Sequence, residues 1–402
     1  MKGVFVVLDG IGDEPCSALS EKTPLEYAKT PNLDKLARES KVDRCYTVKE
    51  GYVPESNEGV LSLLGYDYNA VKRGVLEALG LGVNFRNGDL VFRCNFATID
   101  DVEKGNVIDR RAGRTLTTKE ARILADAVNE EVKLPYKFEF QPSVQHRGVL
   151  VIHGDFSDDI TGVETKGNKL VFSSPLSEKG ASHSSELINL FVRKSFDVLH
   201  NHPVNLARIR KGLYPANIIL CRGAGNEKPK LKKLKGKWMG LGYMPLEKGI
   251  ARIAGMDVYS FEYPKLKKID VYDNLYKGLK KAMKNAIRML KRNKGKYDYF
   301  YVHFKETDIP GHDNKPKDKV RMIEMLDKRF FSFLRKFAGD AKIVITGDHA
   351  TVCKKKAHGA DAVPVLSYPY ESRIKSERFT EEEGKKGKLI LGKKLLAERM
   401  FD

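Results

Sequence analysis

The stretch Ala341–Thr351 reads AKIVITGDHAT, and nine residues past His349 a second histidine follows in KKKAHGADAVPVL. Lys342–Thr346 has the β-branched, apolar texture of a buried strand, yet it runs straight into Gly347, Asp348 and His349. Asp and His at the mouth of a sheet are costly to bury unless something charged meets them, and a divalent metal is the usual answer. The rest of the chain must supply the other ligands.

Further strand-like runs occur at GVFVVLD, GVLVIHG, ANIILCRG, DVYSFE, YDYFYVHF and AVPVLSY, most of them separated by helical patterns. That alternation predicts an α/β fold with a largely parallel sheet. Helix starts are legible: Thr30 before Pro31 in TPNLDKLARES, and Thr117 or Thr118 with Glu120 in TTKEARILADAVNEEV. Apolar spacing predicts another helix from Lys319 to Phe337.

Three strand-like runs lead to an aspartate: VFVVLD to Asp9, YFYVHFKETD to Asp308 and KIVITGD to Asp348. In parallel α/β sheets ligands bind beyond the carboxyl ends of the strands, so three distant carboxylates can meet there. His312, His349 and His358 are placed to join them. Pro310 and Gly311 argue against a regular helix between Asp308 and His312, so that pair is expected in a loop. Mixed oxygen and nitrogen ligands in this number suit two divalent ions roughly 3.5–4 Å apart, as in phosphoryl transfer. In GYVPESNEGVLSLLGYD, Ser56 precedes an apolar helical stretch. Spacing alone makes it an N-cap; a metal beside it would make it a nucleophile on a helix N-terminus suited to phosphate.

At 402 residues the chain suits two domains. Residues 88–215 have denser turns and less regular order and are expected to form a domain inserted into a core built from 1–87 and 216–402, with GDFSDDITGVETKGNK as an exposed loop. No segment approaches the ~18 apolar residues a membrane span requires. The opening MKGVFVVLDG is expected to be a strand and not a leader, which places the protein in the cytoplasm. Five scattered cysteines without a C-x-x-C pair predict free thiols. A formal charge of +19 raises the question of nucleic acid. Its lysines, however, sit in runs such as KPKLKKLKGKW and on one face of an amphipathic pattern from Tyr276 to Lys296, with no nucleic-acid motif. Only two glutamines among abundant Lys and Glu match proteins from hot environments.

The motifs VVLDGIGD, TPNLDKLA, VPESNEGVLSLLGYD, RGAG, KGIARIAGMDV, TDIPGHD, GDHAT and HGADAVPVL resemble the archaeal cofactor-independent phosphoglycerate mutases of the alkaline phosphatase superfamily. The resemblance implies an alkaline-phosphatase-like three-layer core with an inserted smaller α/β domain. It implies two divalent ions (Mn, Mg, Co or Zn) and no 2,3-bisphosphoglycerate. Asp9, Ser56, Asp348 and His349 would hold one ion, and Asp308, His312 and His358 the other. Ser56 would carry the phosphoryl group as phosphoserine. The chain departs from the family around that serine, with Glu55 in place of the usual Gly and Asn57 in place of the usual Asp.

A small anionic substrate calls for arginines, whose planar fork matches carboxylate and phosphate. VIDRRAGR offers Asp109, Arg110, Arg111 and Arg114; QHRGVLVI offers His146 and Arg147; LCRGAG offers Arg222. By resemblance, Asp109 and Arg110 match a substrate-binding Asp-Arg motif, and Arg222 lies in a motif of the archaeal group. Arg111 and Arg147 read equally well as surface ion-pair residues, and Lys305 is a candidate to touch the phosphoryl group. The expected activity is interconversion of 3-phosphoglycerate and 2-phosphoglycerate. A phosphatase or phosphopentomutase built on the same metal site is the alternative, and a nucleic-acid-binding protein the remote one.

Overall fold

A computed structural model describes residues 1–177, 180–265, 271–369 and 376–401. An eight-stranded sheet takes its strands in the spatial order Asp257–Tyr259, Trp238–Leu241, Tyr299–Phe304, Gly3–Leu8, Lys342–Thr346, Val363–Tyr368, Lys41–Tyr46 and Leu389–Leu391. The first five are mutually parallel, Val363–Tyr368 runs antiparallel to both its neighbours, and Leu389–Leu391 is again parallel to Lys41–Tyr46. Gly3–Leu8 is therefore a central strand, and every one of its residues is buried.

Alternation along that strand divides two cores. Val4, Val6 and Leu8 pack with Leu279, Met283 and Met289 of the helix Val271–Asn293 and with Phe330. Phe5 and Val7 pack on the opposite face with Leu61, Leu76 and Ile250. Helices thus cover both faces of the sheet, the three-layer arrangement expected of parallel strands. Along Val271–Asn293 the lysines face outward while Leu279, Ala282, Met283 and Met289 are buried, so much of the positive charge is a solvated helix face.

The second unit is a five-stranded, wholly antiparallel sheet centred on Leu90–Ile99, which pairs with Val107–Asp109, Arg147–Ile152 and Ile218–Gly225, while Phe138–Pro142 adds beyond Arg147–Ile152. Helices Thr118–Glu131 and Ala181–His200 cover one face through Leu124, Val128, Ile188 and Phe191. Val91, Val149 and Val151 on the other face join the core that holds Leu76, and so seat the unit on the helix Arg73–Leu81. Its last strand, Ile218–Gly225, lies just past residue 215.

Several expectations need correction. Asp308–His312 is a short helix, because Pro310 falls in the first turn, where a missing N–H costs no intrahelical bond. Glu164–Lys166 and Lys169–Val171 form a hairpin that starts in the segment read as loop and runs just past its end, and Ile160 and Val163 there are buried. Lys41–Tyr46, Leu90–Ile99 and Trp238–Leu241 are strands that escaped the sequence reading, since Asp43, Arg44, Arg93 and Asn95 interrupt two of them and the third is short. All five cysteines are free. Among the described residues no helix is long and apolar enough to cross a membrane.

Candidate active site

The three central parallel strands end side by side, and each delivers its carboxylate to the same edge. Asp9 follows Gly3–Leu8 directly, Asp348 follows Lys342–Thr346 by two residues, and Asp308 opens the short helix after Tyr299–Phe304. Gly10 makes the convergence sterically feasible. It turns at φ +60°, and a Cβ there would collide with Thr351 and stand 2.9 Å from the Asp308 Oδ1.

Asp9, Asp348 and His349 are almost wholly buried. His349 Nε2 lies 3.3 Å from Asp9 Oδ1 and 3.6 Å from Asp348 Oδ2. On its other side, the His349 and His358 rings stack with centroids 3.7 Å apart, and His358 Nε2 is 3.8 Å from Asp308 Oδ1. His312 Nε2 approaches the same oxygen at 3.4 Å, one helical turn along from Asp308. Two donor sets result, Asp9 with Asp348 and His349, and Asp308 with His349 and His358, joined at His349.

Outer contacts aim these rings. Nδ1 of His358 faces the Pro54 carbonyl at 2.8 Å and Nδ1 of His312 the Lys356 carbonyl at 3.2 Å, leaving each Nε2 toward Asp308. The Thr351 hydroxyl donates to Asp308 at 2.7 Å and lies 3.1 Å from His349 Nδ1. Asp9 Oδ1 and Asp348 Oδ2 are buried without a hydrogen-bond partner, while Asp9 Oδ2 meets the ammonium of Lys305. Anionic oxygens left so in a buried pocket fit a cation between them, and the imidazole and carboxylate donors suit a divalent metal.

Ser56 is not the N-cap. Glu55 takes that place, with its N–H donating to Glu58 at 2.8 Å, and Ser56 is the first residue of the helix Ser56–Leu63. Its Oγ is freed to face His349 Nε2 at 3.2 Å. The helix presses close because Gly59 has no side chain: any Cβ there would collide with the Asp348 carbonyl.

A family model for 2,3-bisphosphoglycerate-independent phosphoglycerate mutases matches residues 37–205. The enzyme of that name from Pyrococcus abyssi is 39% identical over 96% of this chain and 93% of its own length. The chain belongs to this family. Its namesake from Methanopyrus kandleri is also 39% identical, over 92% of this chain and 88% of its own. A solved structure of a Pyrococcus horikoshii protein superposes with a TM-score of 0.78 at 31% identity, covering 100% of this chain and 96% of that one. The cofactor-independent phosphoglycerate mutase of Thermoplasma acidophilum gives 0.57 at 29% identity, covering 100% and 99%. The protein is accordingly an isomerase of the phosphoglycerate mutase type, and its relatives in Pyrococcus agree with the heat-adapted composition.

In this mutase the second unit turns a group of arginines toward the carboxylates. Arg111 is lowered to about 10, by burial first and then by Arg114 and Arg147 beside it, against the pull of Asp308 and Asp313. Arg147 is lowered too, by burial and by Arg73, with Glu77 and Glu247 opposing. Arg222 feels Arg73 and Arg110 after burial. Such mutual repulsion across half-buried cations is what an anionic substrate would relieve. His146 is buried within the same group, its pKa pushed well down by burial and then by Arg147, Arg111, Arg114 and Arg93. Arg114 instead bridges the two units, 2.8 Å from Asp313 next to His312. Asp109 Oδ1 accepts the Arg111 and Gly113 N–H groups at 2.7 Å each, so it shapes the arginine loop, while Arg110 is exposed.

Sequence reasoning missed several residues here. His303, buried in Tyr299–Phe304, lies 3.5 Å from Asp9 and 3.8 Å from Asp348, with Tyr301 fixing its Nδ1 at 2.9 Å. A histidine inside an otherwise apolar strand was the available signal. Lys305, already a candidate from the sequence, pairs with Asp9 and sits 3.2 Å from Glu247, a buried residue with no signal in the sequence. Burial raises Glu247 to about 7. Arg73 joins Glu55 at 2.8 Å and Glu77 at 3.1 Å. Partial desolvation would raise the exposed Glu55, yet Arg73 first and then His358 and Arg93 bring it down to about 2, so the carboxylate beside Ser56 is anionic.

Proposed function

We propose that this protein interconverts 3-phosphoglycerate and 2-phosphoglycerate through a phosphoserine at Ser56, with two divalent metal ions and no 2,3-bisphosphoglycerate. In this reading Asp9, Ser56, Asp348 and His349 hold one ion, and Asp308, His312 and His358 the other. Bound there, the ions supply positive charge that favours the serine alkoxide and offsets charge on the transferring phosphoryl group.

The observation that carries the reading is the place of Ser56 Oγ, at the N-terminus of Ser56–Leu63 and 3.2 Å from the histidine shared by both donor sets. The Ser56 oxygen attacks phosphorus in line, a new O–P bond forms and the bond to the glycerate oxygen breaks. Backbone N–H groups of the first helical turn face the anion. Arg111, Arg147 and Arg222 hold the glycerate while it turns, with His146, Asp109, Arg110 and Arg114 organising that face. The phosphoryl group then returns to the other hydroxyl, so the cleft between the units must retain glycerate and exclude water. Phosphoglycerate is the small-molecule partner, and the cytoplasm the location.

Acid quenching of the enzyme during turnover, followed by peptide mass spectrometry, tests the assignment. The peptide holding Ser56 is expected to be heavier by one phosphoryl group, and a phosphoryl group found only on another residue would refute it.

A further inference from the structure

Away from the metal ligands, Cys94 and Cys221 are direct register partners on the antiparallel strands Leu90–Ile99 and Ile218–Gly225. Both are buried, and their sulfurs lie 3.4 Å apart. The backbone shows which kind of pair this is. Both the N–H and the C=O of Cys221 bond Val163, at 3.0 and 2.7 Å on the far side of its strand, so neither points toward Cys94. Cys94 and Cys221 therefore form a non-hydrogen-bonded pair, in which α-carbons sit roughly 4.5 Å apart and side chains come closest. That spacing lies within the range a disulfide spans, about 4.4–6.8 Å.

We propose that Cys94 and Cys221 are a cross-strand disulfide site, closed by exchange with a small organic disulfide. One cysteine, as thiolate, attacks the organic disulfide and releases one organic thiol. The second displaces the other organic thiol from the mixed disulfide, so two thiols and one disulfide give one protein disulfide and two organic thiols. The same strands carry a reason for the link. The next register pair is Arg93 with Arg222, two cations directly opposed across the sheet, which weakens pairing there. Burial first, then Arg73 and Arg222, lowers Arg93 well below its ordinary value. A covalent tie one residue away holds the arginines side by side against that repulsion. It also closes a loop spanning nearly the whole second unit, which restrains the unfolded chain.

Burial pushes the Cys94 thiol well up, so exchange is slow and the test runs for hours at elevated temperature. The full chain is incubated with oxidised glutathione, unfolded with iodoacetamide and digested without reductant. The expected product is a peptide joining Cys94 to Cys221, with Cys16, Cys45 and Cys353 unlinked to either. The oxidised protein is expected to melt several degrees higher than the reduced one, and dithiothreitol or Cys221→Ser is expected to remove the difference. Should Cys221→Ser fail to fold, Cys94→Ala is the second variant. Recovery of both cysteines as alkylated or glutathione-capped monomers, or a linked pair without a rise in melting temperature, would overturn the proposal.

Discussion

The hydroxyl of Ser56 stands 3.2 Å from Nε2 of His349, although 293 residues separate them in the chain. The helix Ser56–Leu63 and the loop after Lys342–Thr346 are brought together by Gly59, and that contact sets the proposed nucleophile against the proposed metal ligands.

Asp9 Oδ1 and Asp348 Oδ2 have no hydrogen-bond partner in a buried pocket where Lys305 reaches only Asp9 Oδ2, so the native state should bind a divalent cation that the unfolded chain does not hold. Binding then stabilises by mass action, about 2.7 kcal/mol at a hundredfold excess over Kd. Mn²⁺ added to chelator-stripped protein is expected to raise the melting temperature by several degrees, and Asp9→Asn to abolish most of the rise. An equal rise in Asp9→Asn would place the ion elsewhere.

Arg147 is half-buried among Arg111, Arg114 and Arg73 with Glu77 and Glu247 opposing, an arrangement suited to holding an anion. Removing one charge-assisted contact costs about 1.5–3 kcal/mol. Arg147→Met should raise KM for 3-phosphoglycerate by one to two orders of magnitude while metal affinity stays unchanged. Steady-state kinetics with a parallel metal titration separates the two quantities.

Lys319 is fully buried and donates to the Gly12 carbonyl at 3.0 Å, the Thr351 carbonyl at 2.9 Å and Asp13 at 2.8 Å. It clasps the loop after Asp9 to the strand after His349. Lys319→Met leaves the Asp13 carboxylate buried and unpaired, a loss of about 3–5 kcal/mol. Denaturant unfolding at neutral pH should show it.

Glu381 accepts from the Thr23 hydroxyl at 2.8 Å and the Asp13 N–H at 3.2 Å, with Glu26 and Lys319 nearby. Burial, its largest influence, raises it from 4.5 to about 7. Between those values the unfolded chain has lost this proton while the folded one keeps it, so the contribution of Glu381 to stability falls as pH rises from 4.5 to 7. Glu381→Gln keeps its carbonyl oxygen for the Asp13 N–H and turns its amide N–H toward the Thr23 hydroxyl, which can accept, and should flatten that part of the stability profile, measured by melting across this range.

The edge where the carboxylates converge was legible because strand ends are written locally: an apolar run that stops at Asp9 or Asp348 announces both the strand and the acid at its mouth. The arginine face was less so, because Arg111, Arg147 and Arg222 meet only after the second sheet has formed, and their charge reads locally as surface. Asp308 and His312 lie 3.4 Å apart at the same strand edge, as expected, but in a helix and not a loop, since Pro310 in a first turn looks the same in sequence as Pro310 in a loop. His303 and Glu247 escaped because neither ends a strand; tertiary packing alone brings them to Asp9 and Lys305.

The most direct test is phosphorus NMR of the purified enzyme with 3-phosphoglycerate and Mn²⁺, without added bisphosphoglycerate, before and after EDTA. The account predicts 2-phosphoglycerate that EDTA suppresses, and its loss by at least about a thousandfold in Ser56→Ala with an unchanged melting temperature. Free phosphate as the sole product, or undiminished turnover in Ser56→Ala, would contradict it.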